Sequence, residues 1–301
     1  MGEAYNARMT NKGLIVVNTY EVFGSVSHMV KRLEEEFVPY GIALDVKKAG
    51  ELGLSITENA NVESGSLPYD FAIFLDKDPY VSVLLENKGL RIFNSASAIA
   101  ACDDKVKTYL ALLGTGVKMP KTIPGPLRYS EKTNLSFLND VEKLGFPLVV
   151  KENYGSLGKK VYLASNHEEL VALEEKISYL PRLYQQFIAS SSGEDLRVIV
   201  IGGETIAYMK RRSLNGDFRS NIALGGVGEK AYPSPIYLET AERVASLLGL
   251  DYCGVDLLRG EDGNPVLCEV NSNAFIQGIE QVTGVNVAGA YASYIYKEIY
   301  K

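Results

Sequence analysis

The sequence predicts an α/β protein built from two or three compact units. Three observations carry that prediction. Apolar strand-like runs alternate with helical spacing between residues 14 and 93, as in a small parallel unit. A connection bearing Pro120, Pro124 and Pro126 then interrupts the pattern. The last third is rich in strands and holds a hairpin centred on Asp262-Gly263. A chain of 301 residues exceeds one small domain, and 46% hydrophobic with 23% charged residues fits a folded globular protein.

Leu14–Asn18 reads as the first strand. Ser25–Phe37 follows as a helix, with Val26, Val30, Leu33 and Phe37 at helical spacing. Ile42–Val46, Tyr69–Leu75 and Leu90–Phe93 are further strands, with a helix over Tyr80–Glu86. Asn94-Ser95 looks like a cap for a helix over Ala96–Ala101, and Asp103-Asp104-Lys105 opens another that runs through Leu113. After the proline connection, Ser136–Leu144 is helical and Pro147–Lys151 is a strand. Gly155–Gly158 is a tight loop and Lys160–Leu163 the returning strand. His167–Lys176 reads as a helix and Leu183–Ile188 as a strand. Leu196–Ile201 and Thr205–Arg211 are strands, Tyr237–Leu248 is a helix, and Gly284–Tyr300 is a final amphipathic helix.

The hairpin carries the first chemical signal. Centred on Asp262-Gly263, it places Asp256 opposite Glu269, with Asn271 two residues on and so on the same face. Facing carboxylates are unfavourable without a cation between them. An oxygen-only set suits magnesium, which takes one or two carboxylates plus substrate oxygens. The other reading is an exposed acidic face on an edge hairpin.

Two more motifs bear on chemistry. Gly155-Ser-Leu-Gly158 lies between two strands and fails the P-loop pattern, because Asn153 and Lys160 stand where Gly and Ser or Thr are needed. It is either a plain turn or a backbone nest for phosphate, with Lys151 supplying a charge nearby. Arg211, Arg212 and Arg219, with Arg197 on the preceding strand, form either a solvated rim or an anion site. Their order along the chain supplies the parts for a nucleoside triphosphate, magnesium and an anionic substrate.

Other classes are disfavoured. No Gly-x-Gly-x-x-Gly follows the first strand, so a dinucleotide-dependent oxidoreductase is poorly supported. A net charge of −6 argues against nucleic-acid binding. His28 and His167 are the only histidines, too few for a His-rich zinc site. Cys102, Cys253 and Cys268 lack metal spacing and read as thiols of a reducing cytoplasm. No run is long and apolar enough to span a membrane, and residues 1–12 read as a flexible leader without a signal core.

Taken together, these motifs resemble the ATP-grasp ligases, and among them the RimK-type amino-acid (glutamate) ligases. The likeness covers nearly all the chain from Asn94. It rests on Asn94-Ser with Asp104-Lys105, on Pro147-Leu-Val-Val-Lys151 with Gly155-Ser-x-Gly158, and on Asp195-x-Arg197. It continues through Arg211-Arg-x3-Gly-Asp-Phe-Arg-Ser-Asn221, Gly254-Val-Asp256, Glu269-Val-Asn271 and Gly278-Ile-Glu280.

The resemblance implies an ATP-grasp fold. A parallel pre-ATP-grasp domain would cover residues 13–94, a central subdomain with a glycine lid 95–188, and a mixed-sheet subdomain 189–301. It implies that Lys105 and Lys151 hold ATP phosphates under a lid of Gly155, Ser156 and Gly158. Gln186, Phe187 and Ile188 would line the adenine pocket, and Asp195 would meet ribose. Asp256, Glu269 and Asn271 would hold one or two magnesium ions, with manganese as the other candidate. Arg219, Ser220 and Asn221, with Arg197, would sit near the transferred phosphoryl group. Arg211, Arg212 and Asn273 would meet the substrate, an amino acid, a peptide or a protein C-terminus. The expected activity is ATP-dependent carboxylate–amine ligation through an acyl phosphate, in a cytoplasmic protein free to form homo-oligomers. The alternative is a non-catalytic ATP sensor or partner-binding module.

Four features differ from relatives. Gln186 stands where many have Glu, and the lid lacks a further glycine near Lys160. Ser272–Phe275 replaces a Pro-Gly-containing segment, and Asp76-Lys-Asp78 lies where relatives often have an arginine. The last two point to the place where substrate is chosen.

Overall fold

The computed structural model describes residues 11–20, 24–155 and 157–301. The described residues form three main sheets. The first begins with β1 (Asn11–Val17), followed by α1 (Gly24–Phe37) and β2 (Ile42–Lys48). A two-stranded ribbon of β3 (Ser55–Ile56) and β4 (Val62–Glu63) precedes β5 (Phe71–Phe74), α2 (Pro79–Asn87) and β6 (Arg91–Phe93). The sheet is parallel in the order β2-β1-β5-β6. Its first strand starts two residues inside the predicted leader, because Asn11 and Lys12 already pair with Ile42 and Ala43.

Two helices lead onward, α3 (Ala96–Asp103) and α4 (Lys105–Ala111). Ser95 Oγ accepts the Ala98 N–H at 3.2 Å and so caps α3. Asn94 does something else. Its buried amide bonds Tyr252 and the Ser272 carbonyl at 2.8–2.9 Å, joining the first sheet to the end of the hairpin.

The central sheet comprises β7 (Thr122–Pro124), β8 (Leu148–Glu152), β9 (Val161–Ala164) and β10 (Arg182–Gln186), in the order β7-β10-β8-β9. Helices α5 (Leu138–Val141) and α6 (His167–Ile177) cover it. The proline connection is thus partly a strand. Pro124 pairs with Leu183 at the sheet edge, where a residue without an N–H is tolerated.

The third sheet takes β11 (Glu194–Ile201), β12 (Glu204–Arg212), β13 (Val227–Glu229), β14 (Tyr252–Arg259) and β15 (Pro265–Asn271), in the order β13-β12-β11-β14-β15. Helix α7 (Pro235–Leu247) packs on one face; α8 (Gln277–Thr283) and α9 (Val287–Tyr300) lie toward the other.

Strand periodicity explains where the site forms. Val198 and Val200 of β11 join Ala241 and Val244 of α7 in one core. Ile199 and Ile201 point the other way and share a core with Ile15, Phe71, Tyr291 and Ile295. That core locks the first sheet to the third. Burying each such side chain contributes about 1.5–3 kcal/mol. Arg197 and Asp195 continue the Ile199 row beyond the edge of this core, where the apolar filling stops.

Candidate active site

The hairpin places Asp256 opposite Glu269, as its sequence predicts, but by a different route. Near the turn, Arg259 pairs with Pro265, one residue out of the simple register. The intervening loop turns at Gly263, whose φ of +76° suits glycine. A bulge at Cys268 then restores the Asp256–Glu269 pair. Bulges re-aim side chains, and here both Cys268 and Glu269 line the same slot. Two residues absent from the sequence reading hold the bulge. Gln185 Nε2 donates to Tyr109 Oη at 2.9 Å, and Tyr109 donates to the Cys268 carbonyl at 2.8 Å. Both are ordinary core types by sequence, so only the fold reveals them.

Cross-strand register builds a row of charges beside the hairpin. Asp195 of β11 faces Arg211 of β12, and Arg197 of β11 faces Asp256 of β14. Arg197 grips Asp256 with two bonds of 2.6 Å. Arg211 grips Asp195 at 2.7 and 2.5 Å and reaches Asp256 at 2.8 Å. Burial opposes the charge on Asp256, yet Arg197 and Arg211 hold its carboxyl below the ordinary range. Such forked pairs are strong and fix geometry.

Lys105 and Lys151 enter from α4 and β8. Asp104 caps α4 by accepting the N–H groups of Val106 and Lys107 at 3.0 and 3.3 Å. The cap sets Lys105 at the first turn, where Nζ meets the Gly155 carbonyl at 3.0 Å and Glu269 at 3.4 Å. Lys151 is buried at 3.9 Å from Cys268 Sγ. Burial works against its charge, but Cys268, Tyr109, Glu269 and Asp256 raise its pKa above the usual lysine value. Burial likewise pushes the Cys268 thiol up to about 11, so it stays neutral at pH 7. The lysine's ionic partners at that pH are therefore the two carboxylates.

The glycine loop is docked. Arg219 donates to the Gly158 and Val161 carbonyls at 2.8 and 3.3 Å while pairing with Asp217. Gly158 has φ +72°, and a Cβ there would stand 2.5 Å from Asn221 Oδ1. Lys160 pairs with Glu152 at 2.7 Å, which neutralises the extra lid charge. Ser156 lies outside the described residues.

Three of the expected site residues are engaged by other side chains. Arg212 sits one residue from Arg211 and so on the opposite face of β12. It pairs with Glu229 at the surface, 2.6 Å away, and lines neither cavity of the site. Asp195, expected at ribose, has both oxygens engaged by Arg211, which makes it a clamp for that arginine. Ser220, expected near the transferred phosphoryl group, donates its hydroxyl to Asp195.

The side chains enclose two compartments. A narrow slot of about 90 Å³ runs between the central and third sheets, lined by Lys151 and Gln186–Ile188 among others. A cleft of about 650 Å³ opens toward the first sheet, lined by Asp76, Lys77, Arg197, Asn271 and Asn273 among others. Arg211, Asn221 and Glu269 line both. The acidic set of Asp256, Glu269 and Asn271 presents oxygen donors of the kind a hard cation takes, with both Asp256 oxygens already held by Arg197 and Arg211. The buried Asn271 Nδ2 has no hydrogen-bond partner, and as a donor it is set for an acceptor such as a phosphate or carboxylate oxygen. Among the described residues, no group of three His, Cys, Asp or Glu could hold a metal ion. Nor is any described helix long and apolar enough to cross a membrane.

Comparison with known proteins identifies the family. Residues 102–295 match the family model of the RimK-like ATP-grasp domain. Human N-acetylaspartylglutamate synthase A is 35% identical over 252 residues, which cover 81% of this chain and 63% of that protein. The chain therefore spans just under two thirds of this relative's length. A probable alpha-L-glutamate ligase of Maridesulfovibrio salexigens is 38% identical over 215 residues, covering 70% of this chain and 69% of its own. The solved ATP-grasp ligase PsnB superposes with a TM-score of 0.70 at 18% identity, covering 95% of this chain and 98% of that one. Its likeness shows the fold, a mixed α/β ATP-grasp architecture. By the extent of the family match and the identity of these relatives, the chain belongs to the RimK-like ATP-grasp family.

Proposed function

We propose that this chain is an ATP-dependent ligase that joins a carboxylate to an amine through an acyl phosphate. The observation that carries the reading is the shared wall of Arg211, Asn221 and Glu269 between slot and cleft. ATP would enter the slot as the docked glycine loop lifts, with its adenine along Gln186–Ile188 and its phosphates toward Lys105 and Lys151. The substrate carboxylate would reach the shared wall from the cleft.

A carboxylate lacks a good leaving group. Its oxygen attacks the γ-phosphorus, ADP leaves, and the acyl phosphate forms. A neutral amine then attacks the acyl carbon, phosphate departs, and the nitrogen loses a proton. The phosphoryl group in transfer spreads negative charge over its oxygens, so positioned cations supply most of the catalysis. Within the charged cluster, Lys105, Lys151, Arg197 and Arg211 outnumber Asp195, Asp256 and Glu269 by one, which suits an added anion. Arg219 and Asn221 would hold the lid down and exclude water from the acyl phosphate. Asp256, Glu269 and Asn271 would hold magnesium, which would supply Lewis-acid charge to the phosphoryl transfer; PsnB was solved with magnesium and ADP. Because both sequence relatives are named for glutamate, glutamate is the first amine to try, with an amino acid or peptide as the partner.

The test is ADP release over a panel of carboxylate–amine pairs, with products weighed by mass spectrometry. The ligase reading expects ADP in step with a product one water lighter than its parts. ATP binding without ADP from any pair would favour the sensor alternative.

A further inference from the structure

The proposed chemistry leaves one charged group of the larger cleft without a task. Asp76 follows β5, lines the cleft, and is 9% exposed. Its carboxylate accepts from Asn18 Nδ2 at 3.2 and 3.4 Å and from the Lys77 backbone N–H at 2.7 Å, all neutral donors. Every other charge lining the cleft has an opposite charge close by. Arg197 and Arg211 hold Asp256, Glu269 has Lys105 at 3.4 Å, and Lys77 is committed to Asp103 at 2.9 Å. Among the described residues, Asp76 is the cleft carboxylate without a cation. A largely desolvated carboxylate held by neutral donors gains most when a cation arrives.

The loop is also fixed in place. Asn273 Nδ2 donates to the Asp76 carbonyl at 2.9 Å, so the segment after the hairpin anchors the residue from the opposite side. The cleft is thus polarised. Guanidinium groups stand at the wall shared with the slot, and a carboxylate stands at the first sheet.

We propose that Asp76 receives an ammonium group of the carboxylate substrate, one that ligation does not consume. This rests on the ligase reading and deepens it. The carboxylate donor is then a free amino acid or a peptide with an unblocked N-terminus, oriented with its carboxylate toward Arg211 and its ammonium toward Asp76. Asn273 is the positioning residue, acting through the Asp76 backbone.

Matched ligands test this. Amino acids and dipeptides, each as the free amine and as the N-acetyl form, are titrated into the full chain with ADP and magnesium and read by calorimetry. In parallel, the same pairs are offered with ATP and glutamate, and products are weighed. A charge-assisted contact of this kind gives a preference of about ten- to a hundredfold for the free amine. In Asp76→Asn that ratio falls toward one, and Asp76→Ser serves if the first variant folds poorly. Equal binding of both forms by the wild type, or no binding of either, overturns the assignment, as does an unchanged ratio in a folded variant. A persistent preference without any ligation supports the ammonium site and rejects the ligase reading, so the two fail separately.

Discussion

The slot and the cleft share a wall yet are built by different rules. In the slot, position follows from pairing within sheets: Asp195 faces Arg211, Arg197 faces Asp256, and Asp256 faces Glu269. The cleft gathers residues from the ends of β1 and β5, the glycine loop and the segment after β15. Its shape depends on the first sheet docking against the third through Ile15, Phe71, Ile199 and Tyr291. The slot's row of charges is thus specified locally by strand register, and the cleft only after the whole chain has packed.

The sharpest way to probe that difference is to remove charges from the shared hairpin. Asp256→Asn takes the charged partner from Arg197 and leaves the buried Arg211 with Asp195 alone, so it removes turnover and destabilises the fold by about 3 kcal/mol. Glu269→Gln also removes turnover, but its carboxylate is a quarter exposed with one partner at 3.4 Å, so the thermal midpoint stays near wild type. Melting curves beside ADP assays check the pair. Equal destabilisation by both would show that the row of charges does not anchor Asp256 more firmly than Glu269.

A smaller loss is expected from Lys151→Met. It removes the buried charge proposed to hold phosphate in the slot, so ATP should bind about ten- to a hundredfold more weakly. Binding of a carboxylate ligand to the cleft should change far less. A parallel loss in both titrations would join compartments that are distinct here.

Thiol chemistry gives a third check. Cys102 and Cys253 are buried, and burial pushes the Cys268 thiol up to about 11. At pH 8 all three stay largely protonated and resist iodoacetamide until denaturant is added. Rapid native labelling of Cys268, read by mass spectrometry, would mean that the slot is open and wet. Smallest of all is Arg212→Ala, which leaves ATP turnover unchanged because the side chain pairs with Glu229 outside both compartments.

Legibility from sequence follows the same division. The alternation of Leu14–Asn18, Ile42–Val46 and Tyr69–Leu75 with helical spacing anticipates the parallel sheet, because periods of 2 and 3.6 are local. The Asp256–Glu269 pair is also readable, although the Cys268 bulge that preserves it is not. Short pieces such as β7, β13 and α8 carry too few residues for a period. Arg211 and Arg212 look alike in sequence, and strand alternation separates them only once β12 is seen to extend through both. Gln185, Tyr109 and Asn94 act through partners 76 to 178 positions away, which no local pattern encodes.

The central claim is that the carboxylate is activated by phosphorylation at the shared wall. Carboxylate substrate labelled with ¹⁸O at both oxygens tests it directly, with the released phosphate examined by mass spectrometry. Attack on the γ-phosphorus followed by departure of phosphate predicts one ¹⁸O in each phosphate formed with product. Product accompanied by unlabelled phosphate would contradict the acyl-phosphate route.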